Sequence, residues 1–391
     1  MEWEDSALSY RDIKKVAFVC NISLMAGAQR IALEIMKGMP SDWEKYIFVG
    51  RDEIGVAEFE KCFSEVGAKI IYVDSLKREI SKNDIVAFWE LFKLFRKHNF
   101  DIVHSHSTKP GILARIAAKL AGTEKVIHTV HGIAYNTSVS ITKRLLYYTI
   151  ECIATLFGSK LILVNNYYYK YYRFFNIKGN VTTIHNGVDF DKLNQLSEIG
   201  NDITLNYSKS KKHILFVGRL DVAKSPVTLL KSVSYLKAFF PQIYNDIIVD
   251  IAGDGDLAAA CKEFVHQNDL GSVVRFHGWI NGNEKNMLYK QAYLFCCPSI
   301  FEAFGLVFVE AGYYGLPVIS TTVEGIPEVV CHNVSGILVE PNDHVALATA
   351  MLNIIQNEEL RKTMSSNALN ICTQKFDINI MRDKYMEIYC E

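Results

Sequence analysis

Short apolar runs alternate with longer segments of helical spacing along the first part of the chain. The runs begin at Val16, Tyr46, Lys69, Asp101, Lys125 and Leu161. Amphipathic segments such as 84–97 and 112–120 lie between them. Strands that alternate with helices predict a parallel, doubly wound sheet, and mostly unbroken apolar runs indicate strands covered on both faces.

The same alternation returns in the second part of the chain. Its apolar runs begin at His213, Ile247, Val273, Tyr293, Pro317 and Gly336. The less apolar stretch 189–212 has no clear period and is predicted to be a linker. We therefore predict an α/β protein with two Rossmann-like domains, residues 1–190 and 191–375. Two such domains facing each other leave a ligand crevice at the carboxyl ends of both sheets.

Composition narrows the possible partners. The chain has 391 residues, enough for two domains, and 49% hydrophobic with 22% charged residues is typical of a globular protein. A formal net charge of -1 provides no general attraction to nucleic acid or to an anionic membrane. We therefore expect no nucleic-acid partner.

The cysteines and the charge of the first residues indicate the cellular compartment in which the protein is expected. Nine cysteines are scattered without a C-x-x-C pair, which favours reduced thiols and argues against a zinc site. Residues Met1–Asp5 are acidic, the reverse of the start of a signal peptide. No apolar run approaches the length of a bilayer-spanning helix. We expect a cytoplasmic protein that binds no metal.

Two carboxylates, Glu302 and Glu310, bracket seven apolar or small residues after the run that begins at Tyr293. The pattern changes to helical spacing near Gly305, which places Glu302 in a strand-to-helix loop and Glu310 in the helix. The free amides around Gly305 and Leu306 suit a phosphate. Carboxylates on both sides could accept hydrogen bonds from hydroxyls flanking a diphosphate, which is the layout of a nucleotide sugar. The alternative is that both glutamates are merely solvated.

Two cations, Arg219 and Lys224, lie five residues apart in a turn that contains Gly218 and leads into a helix. Both can therefore reach one anion, and charge-assisted bonds to phosphate are strong. The alternative is a pair of solvated cations at a helix start, where the helix dipole makes them mildly unfavourable.

Histidines end two strands of the first domain, at His104 and His106 and again at His128 and His131. Because side chains alternate along a strand, His104 and His106 share a face whereas His128 and His131 do not. The four histidines therefore need not form one metal site. A histidine at such a position is more often a packing residue than a catalyst.

These motifs together resemble the retaining glycosyltransferases of family 4, which have the two-domain GT-B fold. The resemblance rests on Glu302-x7-Glu310, on 315–320 and 324–328, and on the Gly-Arg-Leu-x-x-x-Lys pattern. It implies that Glu302 lies by the donor sugar and Glu310 binds the ribose hydroxyls. It also implies that Arg219 and Lys224 bind the donor diphosphate.

Further positions carry over from the same resemblance. His131, followed by a glycine, matches the position whose imidazole contacts the donor sugar. Phe304, Gly305 and Leu306 fall in the donor-binding loop. Gly27 matches a glycine-rich loop in which Ala26 replaces the first glycine, and a positive φ there would strain Ala26. The terminal helix, about 376–391, is implied to pack back on the first domain.

The implied activity is a retaining, metal-independent transfer of a sugar from a nucleotide-diphosphate sugar to a saccharide or lipid-linked saccharide. Such reactions build surface polysaccharides and glycoconjugates; uridine is the base that we expect, and no cofactor is implied. Alternatives of the same fold are a nucleotide-sugar epimerase, a phosphorylase and a non-catalytic nucleotide-sugar sensor. A phosphorylase would need a pyridoxal phosphate lysine, for which no motif is present.

Residues 143–178 are rich in tyrosine, phenylalanine and basic side chains. The basic residues are Lys143, Arg144, Lys160, Lys170, Arg173 and Lys178. Aromatic and basic residues together suit an interface with membrane headgroups. Helices that pack their aromatic faces into the core would give the same composition, so both interpretations stay open.

Overall fold

A computed structural model describes residues 13–52, 55–77, 82–133, 139–172, 180–199, 211–280 and 282–391. The acidic start Met1–Asp5, Arg173 and Lys178 lie outside these ranges. The chain divides into two compact units. The first unit comprises the residues up to Leu163 together with Tyr169–Ile184 and Arg382–Glu391. The second comprises Val164–Tyr168 and His185–Met381.

The first unit contains a parallel sheet of seven strands in the order β3-β2-β1-β4-β5-β6-β7. The strands are β1 (Lys15–Ile22), β2 (Glu44–Gly50), β3 (Lys69–Tyr72), β4 (Ile102–His106), β5 (Lys125–Val130), β6 (Lys160–Leu163) and β7 (Val181–Thr183). Its helices are α1 (Gly27–Lys37), α2 (Val56–Glu65), α3 (Asn83–His98), α4 (Thr108–Ala121), α5 (Ile141–Thr155) and α6 (Tyr169–Tyr172).

The second unit contains a parallel sheet of six strands in the order β10-β9-β8-β11-β12-β13. The strands are β8 (Lys212–Val217), β9 (Ile247–Ala252), β10 (Val274–Gly278), β11 (Leu294–Cys296), β12 (Val318–Thr321) and β13 (Gly336–Val339). Its helices are α7 (Phe190–Ile199), α8 (Pro226–Phe239), α9 (Pro241–Asp246), α10 (Ala258–Gln267), α11 (Gly282–Gln291), α12 (Leu306–Tyr313), α13 (Ile326–Val329), α14 (His344–Gln356) and α15 (Glu358–Lys375).

The last helix, α16 (Ile378–Cys390), begins in the second unit, and from Arg382 onward it belongs to the first. Within the first unit, the Tyr385 hydroxyl lies 3.1 Å from Oγ1 of Thr129. The Arg382 guanidinium pairs with Glu34 at 2.5 Å. This part of α16 is therefore held by buried polar contacts as well as by its apolar face.

Both sheets have cores of buried apolar side chains on strands and helices. In the first unit Phe48 packs edge-on against Phe95 and Phe100, with ring centroids 5.3 Å and 5.6 Å apart. In the second unit Phe295 packs edge-on against Phe308 at 5.9 Å. Edge-to-face packing is a favoured geometry for aromatic rings.

The predicted linker is wrong in its first part, where the structure has α7. That helix buries Phe190 and Leu193, and Asn286 Nδ2 contacts the carbonyl of Leu193 at 3.5 Å. The sequence does contain a helical signal, because Phe190, Leu193, Leu196 and Ile199 recur every third residue, and the linker prediction overlooked it. Strand β7 was not predicted either, because Val181–Thr183 has only one strongly apolar residue.

The strand order fixes where ligands can approach each unit. In each sheet the order reverses beside the first strand, between β1 and β4 and between β8 and β11. Loops that leave the carboxyl ends of two such strands run in opposite directions and open a crevice between them. In the second unit these are the loops 218–225 and 297–305, which contain Arg219, Lys224 and Glu302.

Candidate active site

The two loops at the second unit's switch point are joined by their backbones. The Ile300 amide donates a hydrogen bond to the Ala223 carbonyl at 2.8 Å. That contact holds the residues before Lys224 against the residues before Glu302. Two side chains that are far apart in sequence are therefore brought to one place by the order of the strands.

Lys224 and Glu302 form an ion pair in which Nζ of the lysine contacts Oε2 of the glutamate. Their side chains are only 16% and 14% exposed. Burial alone would lower the pKa of Lys224, but the Glu302 carboxylate outweighs it and the pKa is raised. Lys224 thus stays a cation at neutral pH, as a diphosphate ligand requires.

Arg219 is much more accessible than Lys224. Its side chain is 66% exposed, and its guanidinium contacts Asp221 at 2.9 Å. The other oxygen of Asp221 accepts a hydrogen bond from the Lys224 amide at 3.0 Å. Asp221, which the sequence analysis did not single out, therefore orders the turn and orients Arg219. Because most of the arginine fork faces solvent, it can still contact a ligand.

Gly305 starts helix α12 with a φ of 84°. A Cβ at this position would lie 2.3 Å from Cδ2 of Phe308, so only glycine fits. No side chain caps the helix start, and the first-turn amides of a helix have no partner within it. The amides of Leu306 and Val307 are therefore available to an anion. The sequence pattern predicts the amides around Gly305 and Leu306, but Gly305 is the residue that precedes the helix.

The loop that carries Glu302 is held in place by the segment after β12. The Glu302 amide donates to Oε2 of Glu324 at 3.1 Å, and the Gly325 amide donates to the Glu302 carbonyl at 3.2 Å. A Cβ on Gly325 would lie 2.0 Å from the Ala303 carbonyl, so glycine is required here too. Glu324 and Gly325 thus position the Glu302 backbone.

Phe304, predicted to bind the donor, has its ring in the core. It is 2% exposed and packs on His185 and Phe376, with ring centroids 5.7 Å and 5.5 Å away. His185 is held by Glu328 at 2.8 Å. The Phe304 side chain anchors the loop, so a ligand could reach only its backbone.

Glu310 already has protein partners. Lys285 Nζ lies 2.8 Å and 3.0 Å from its two oxygens, and the Tyr289 hydroxyl donates to Oε2 at 3.0 Å. Burial, then the Glu310 charge, raises the pKa of Tyr289 well above its usual value, so Tyr289 keeps its proton. The carboxylate is oriented by both residues, and ribose hydroxyls would have to share its oxygens with Lys285. Neither partner was predicted from the sequence.

In the first unit, His131 follows β5 and contacts a histidine at the end of β4. Nδ1 of His106 lies 2.9 Å from Nε2 of His131. Burial lowers the pKa of His131 to about 4, so its imidazole is neutral near pH 7. The structure therefore pairs His131 with His106, whereas His128 contacts the Ser105 hydroxyl at 3.0 Å.

His104 belongs to a separate network that faces α16. Its Nδ1 lies 2.5 Å from the Tyr389 hydroxyl, and its Nε2 lies 2.8 Å from Oγ1 of Thr129. Both ring nitrogens are thus used in the core, which favours a structural role for His104. Nowhere in the described residues do three or more His, Cys, Asp or Glu side chains converge as a set of metal ligands.

The loop before α1 is not strained by its alanine. Ala26 has φ -98° and ψ -179°, an extended conformation open to any residue. Apart from its chain neighbours and the backbone of its own helix, no atom of the described residues lies within 4 Å of where a Cβ on Gly27 would stand. The substitution of Ala26 for glycine therefore needs no shift of the loop.

Three residues other than glycine, asparagine or aspartate have positive φ in the described parts of the chain. They are Ser107, Ser225 and Glu324, with φ of 70°, 49° and 43°. All three lie in loops at the carboxyl ends of strands, after β4, β8 and β12. Such strained conformations persist where surrounding contacts impose them and cluster at functional sites.

Comparison with known proteins identifies the family of this chain. The family profile "Glycosyl transferases group 1" matches residues 203–370, and the profile "Glycosyltransferase Family 4" matches residues 25–192. UDP-Gal:alpha-D-GlcNAc-diphosphoundecaprenol alpha-1,3-galactosyltransferase of Escherichia coli is 29% identical over 388 residues, 96% of this chain and 97% of that protein. The Staphylococcus aureus capsular polysaccharide biosynthesis glycosyltransferase CapM is 26% identical over 331 residues, which are 82% of this chain and 85% of that protein.

Solved structures show the same fold. The crystal structure of Anabaena HepE in complex with UDP matches with a TM-score of 0.78 at 18% identity, covering 97% of this chain and all of that one. The two Rossmann-like units are those of the GT-B class of transferases, which confirms the predicted fold. The chain belongs to the family 4 glycosyltransferases.

Proposed function

We propose that the chain is a retaining glycosyltransferase that moves a sugar from a UDP-sugar to a saccharide or lipid-linked saccharide, without a metal ion. The observation that carries the proposal is the Lys224–Glu302 pair at the second unit's switch point. Glu302 of this pair lies in the loop that ends at Gly305, where α12 begins without a side-chain cap. A cation, a carboxylate and free amides are the groups that a sugar diphosphate would use.

The leaving diphosphate gains negative charge as the sugar bond breaks. Arg219, Lys224 and the amides of Leu306 and Val307 would stabilise that charge, and preorganised donors of this kind often supply the largest catalytic effect. Glu302 would lie by the sugar, and Glu310, oriented by Lys285, would accept ribose hydroxyls. The family resemblance also gives His131 a contact with the donor sugar. The roles of Arg219, Lys224, Glu302 and Glu310 follow the same resemblance, whereas those of Lys285 and of the Val307 amide are inferred from the contacts described above.

Uridine is supported by the comparisons. The name of the Escherichia coli relative specifies UDP-Gal, and the matching Anabaena structure holds UDP. The same relative acts on a diphosphoundecaprenol-linked sugar according to its name, and CapM is named for capsular polysaccharide biosynthesis. We infer that this chain also takes part in the synthesis of a surface polysaccharide or glycoconjugate.

A lipid-linked acceptor would require contact with a membrane surface, and α5 suits that contact. Its exposed apolar side chains are Ile141, Leu145, Leu146 and Ile153, with Leu156 directly after it. Lys143 and Arg144 are also exposed. Apolar and cationic side chains on one helix bind the headgroup region of anionic bilayers. None of the helices in the described ranges is long and apolar enough to cross a bilayer.

The proposal is tested by release of UDP from candidate UDP-sugars with and without a polyprenyl-diphosphate sugar, in EDTA. We expect release that depends on acceptor and survives chelation. Conversion of the donor to another UDP-sugar without acceptor would indicate an epimerase, and binding without turnover would indicate a sensor. If EDTA abolishes turnover and manganese restores it, the metal-independent part of the proposal is wrong.

A further inference from the structure

His106 is the last residue of β4 and His131 directly follows β5, so both lie at the carboxyl edge of the first sheet. Strand β4 pairs with β5, so the ends of the two strands lie side by side. The imidazole rings are 5.2 Å apart between centroids with planes inclined by 23°. The only hydrogen bond between them joins Nδ1 of His106 to Nε2 of His131. One of these nitrogens must donate and the other must accept.

The second nitrogen of His106 decides which one donates. Nε2 of His106 is buried and has no hydrogen-bond partner in the part of the chain that the structure describes. The ring is covered by Phe18, stacked at 5.6 Å, and by His104 at 4.3 Å. Buried N–H groups without an acceptor are rarer than buried acceptors without a donor. The proton of His106 therefore belongs on Nδ1, and Nε2 carries only a lone pair.

Both rings are neutral, so the tautomer of His106 determines the tautomer of His131. Burial, then the neighbouring histidines, lowers the pKa of His106 well below its usual value, and burial lowers the pKa of His131 to about 4. A neutral imidazole has one N–H and one lone pair. If Nδ1 of His106 donates to Nε2 of His131, the proton of His131 must be on its Nδ1.

We propose that His106 is a positioning residue that fixes His131 as the Nδ1–H tautomer, so that His131 offers a hydrogen-bond donor to a hydroxyl oxygen of the donor sugar. The role in sugar binding rests on the proposed function, whereas the tautomer does not. In water the Nε2–H tautomer of histidine is favoured, so the protein would impose the less common form. The partner that orients one imidazole nitrogen generally sets the chemistry of the other.

Nuclear magnetic resonance of the full chain with ¹⁵N-labelled imidazoles tests the tautomer directly. Two-bond proton–nitrogen correlations distinguish Nδ1–H from Nε2–H rings, and the signals of His131 are those that disappear in His131→Asn. We expect the Nδ1–H pattern for His131 at pH 7.5. The Nε2–H pattern would overturn the proposal.

Two variants separate positioning from packing. In His106→Asn the amide nitrogen can replace Nδ1 and keep the donor, whereas in His106→Gln the amide reaches toward the position of Nε2. We expect His131 to stay Nδ1–H in the asparagine variant and to shift to Nε2–H in the glutamine variant. An Nδ1–H pattern in both variants would show that His106 does not set the tautomer.

Activity provides the second measurement. His106→Asn should restore most of the turnover that His106→Gln loses, and that loss should be about tenfold in kcat/KM for one donor bond. Both variants must show the thermal transition of the parent. If the tautomer shifts as expected but the two variants have equal turnover, His131 does not donate a hydrogen bond to the sugar. The tautomer assignment is then still correct. If no UDP-sugar is turned over at all, the proposed function fails without affecting the resonance result.

Discussion

Lys224 shows how far a single residue's chemistry depends on neighbours that are distant in sequence. It lies 78 positions from Glu302, yet that carboxylate is its ion-pair partner. Removing one member of a buried pair leaves an unpaired charge, at a cost of about 3–5 kcal/mol. Loss of activity in a Lys224 variant would therefore mix catalysis with stability. Arg219 is exposed and is the cleaner probe of the proposed diphosphate site.

Arg219→Ala should lower kcat by about 100- to 1,000-fold, which corresponds to about 2.7–4 kcal/mol for one preorganised electrostatic donor. Donor affinity should fall less, because the diphosphate is more negative in the transition state. Arg219→Lys keeps the charge but loses the fork and should show a partial defect. Steady-state kinetics and donor binding measure both effects. Arg275→Ala, another exposed arginine of the second unit, is the control and should behave like the parent; an equal loss there would refute the assignment.

Glu310→Gln should weaken binding of both UDP and the UDP-sugar by about ten- to a hundredfold, since a hydrogen bond to a charged group is worth about 1.5–3 kcal/mol. The amide also loses the ion pair with Lys285. Isothermal titration calorimetry measures the change, and Glu359→Gln, at an exposed position of α15, serves as the control. Unchanged affinity for both ligands would exclude the ribose assignment.

At the scale of elements, the start of α12 depends on one glycine. Gly305 has a positive φ, and its missing Cβ leaves room for Phe308. Gly27 also starts a helix but has neither constraint. Substitution by alanine should therefore be disfavoured at Gly305 and tolerated at Gly27, so the two variants can be compared directly.

Gly305→Ala should destabilise the protein by at least about 1–3 kcal/mol, the usual cost of a strained backbone, with the contact to Phe308 in addition. Gly27→Ala should change stability little or increase it by about 0.4–1 kcal/mol. Thermal or urea unfolding measures both. Equal stability of the two variants would mean that the loop before α12 can relax and that its geometry is not fixed by Gly305.

The elements were predictable to the extent that their apolar runs were unbroken. Strand β9, buried at every position, was evident from its sequence. Helix α7 was missed although its apolar residues Phe190, Leu193, Leu196 and Ile199 recur every third residue, because the surrounding Ser, Asn, Asp and Lys are typical of a linker. Glu302, Glu310 and the segment 324–328 could be named from the family resemblance. The contact of Lys285 with Glu310 and that of Glu324 with the Glu302 amide could not, because they depend on the packing of α11 and of the turn after β12.

At the scale of the whole molecule, a set of buried histidines links stability to pH. Burial lowers the pKa of His104, His106 and His128 well below the usual value, and that of His131 to about 4. Below pH 6.5 these histidines therefore bind protons in the unfolded chain but stay neutral in the folded chain. The free energy of unfolding should be constant above that pH and fall below it.

The melting temperature should accordingly be steady from pH 8 to 7 and fall progressively between pH 6.5 and 5. Each histidine contributes at most about 1.4 kcal/mol per pH unit. Asp250 and Glu328, whose pKa values are lowered, add the same trend only at more acidic pH. Differential scanning calorimetry checks this dependence. A melting temperature that does not change between pH 7.5 and 5.5 would show that the histidines are hydrated in solution.

Proton NMR of the transfer reaction tests the central claim most directly. An α-linked UDP-hexose is mixed with the enzyme and a lipid-linked or soluble saccharide acceptor, and the anomeric signals are followed as UDP forms. The account predicts that the first product signal is that of an α-glycoside, rising in step with UDP and absent without acceptor. A β-glycoside as first product would contradict retention, and an epimerised donor or an unchanged spectrum with every UDP-hexose would contradict sugar transfer itself.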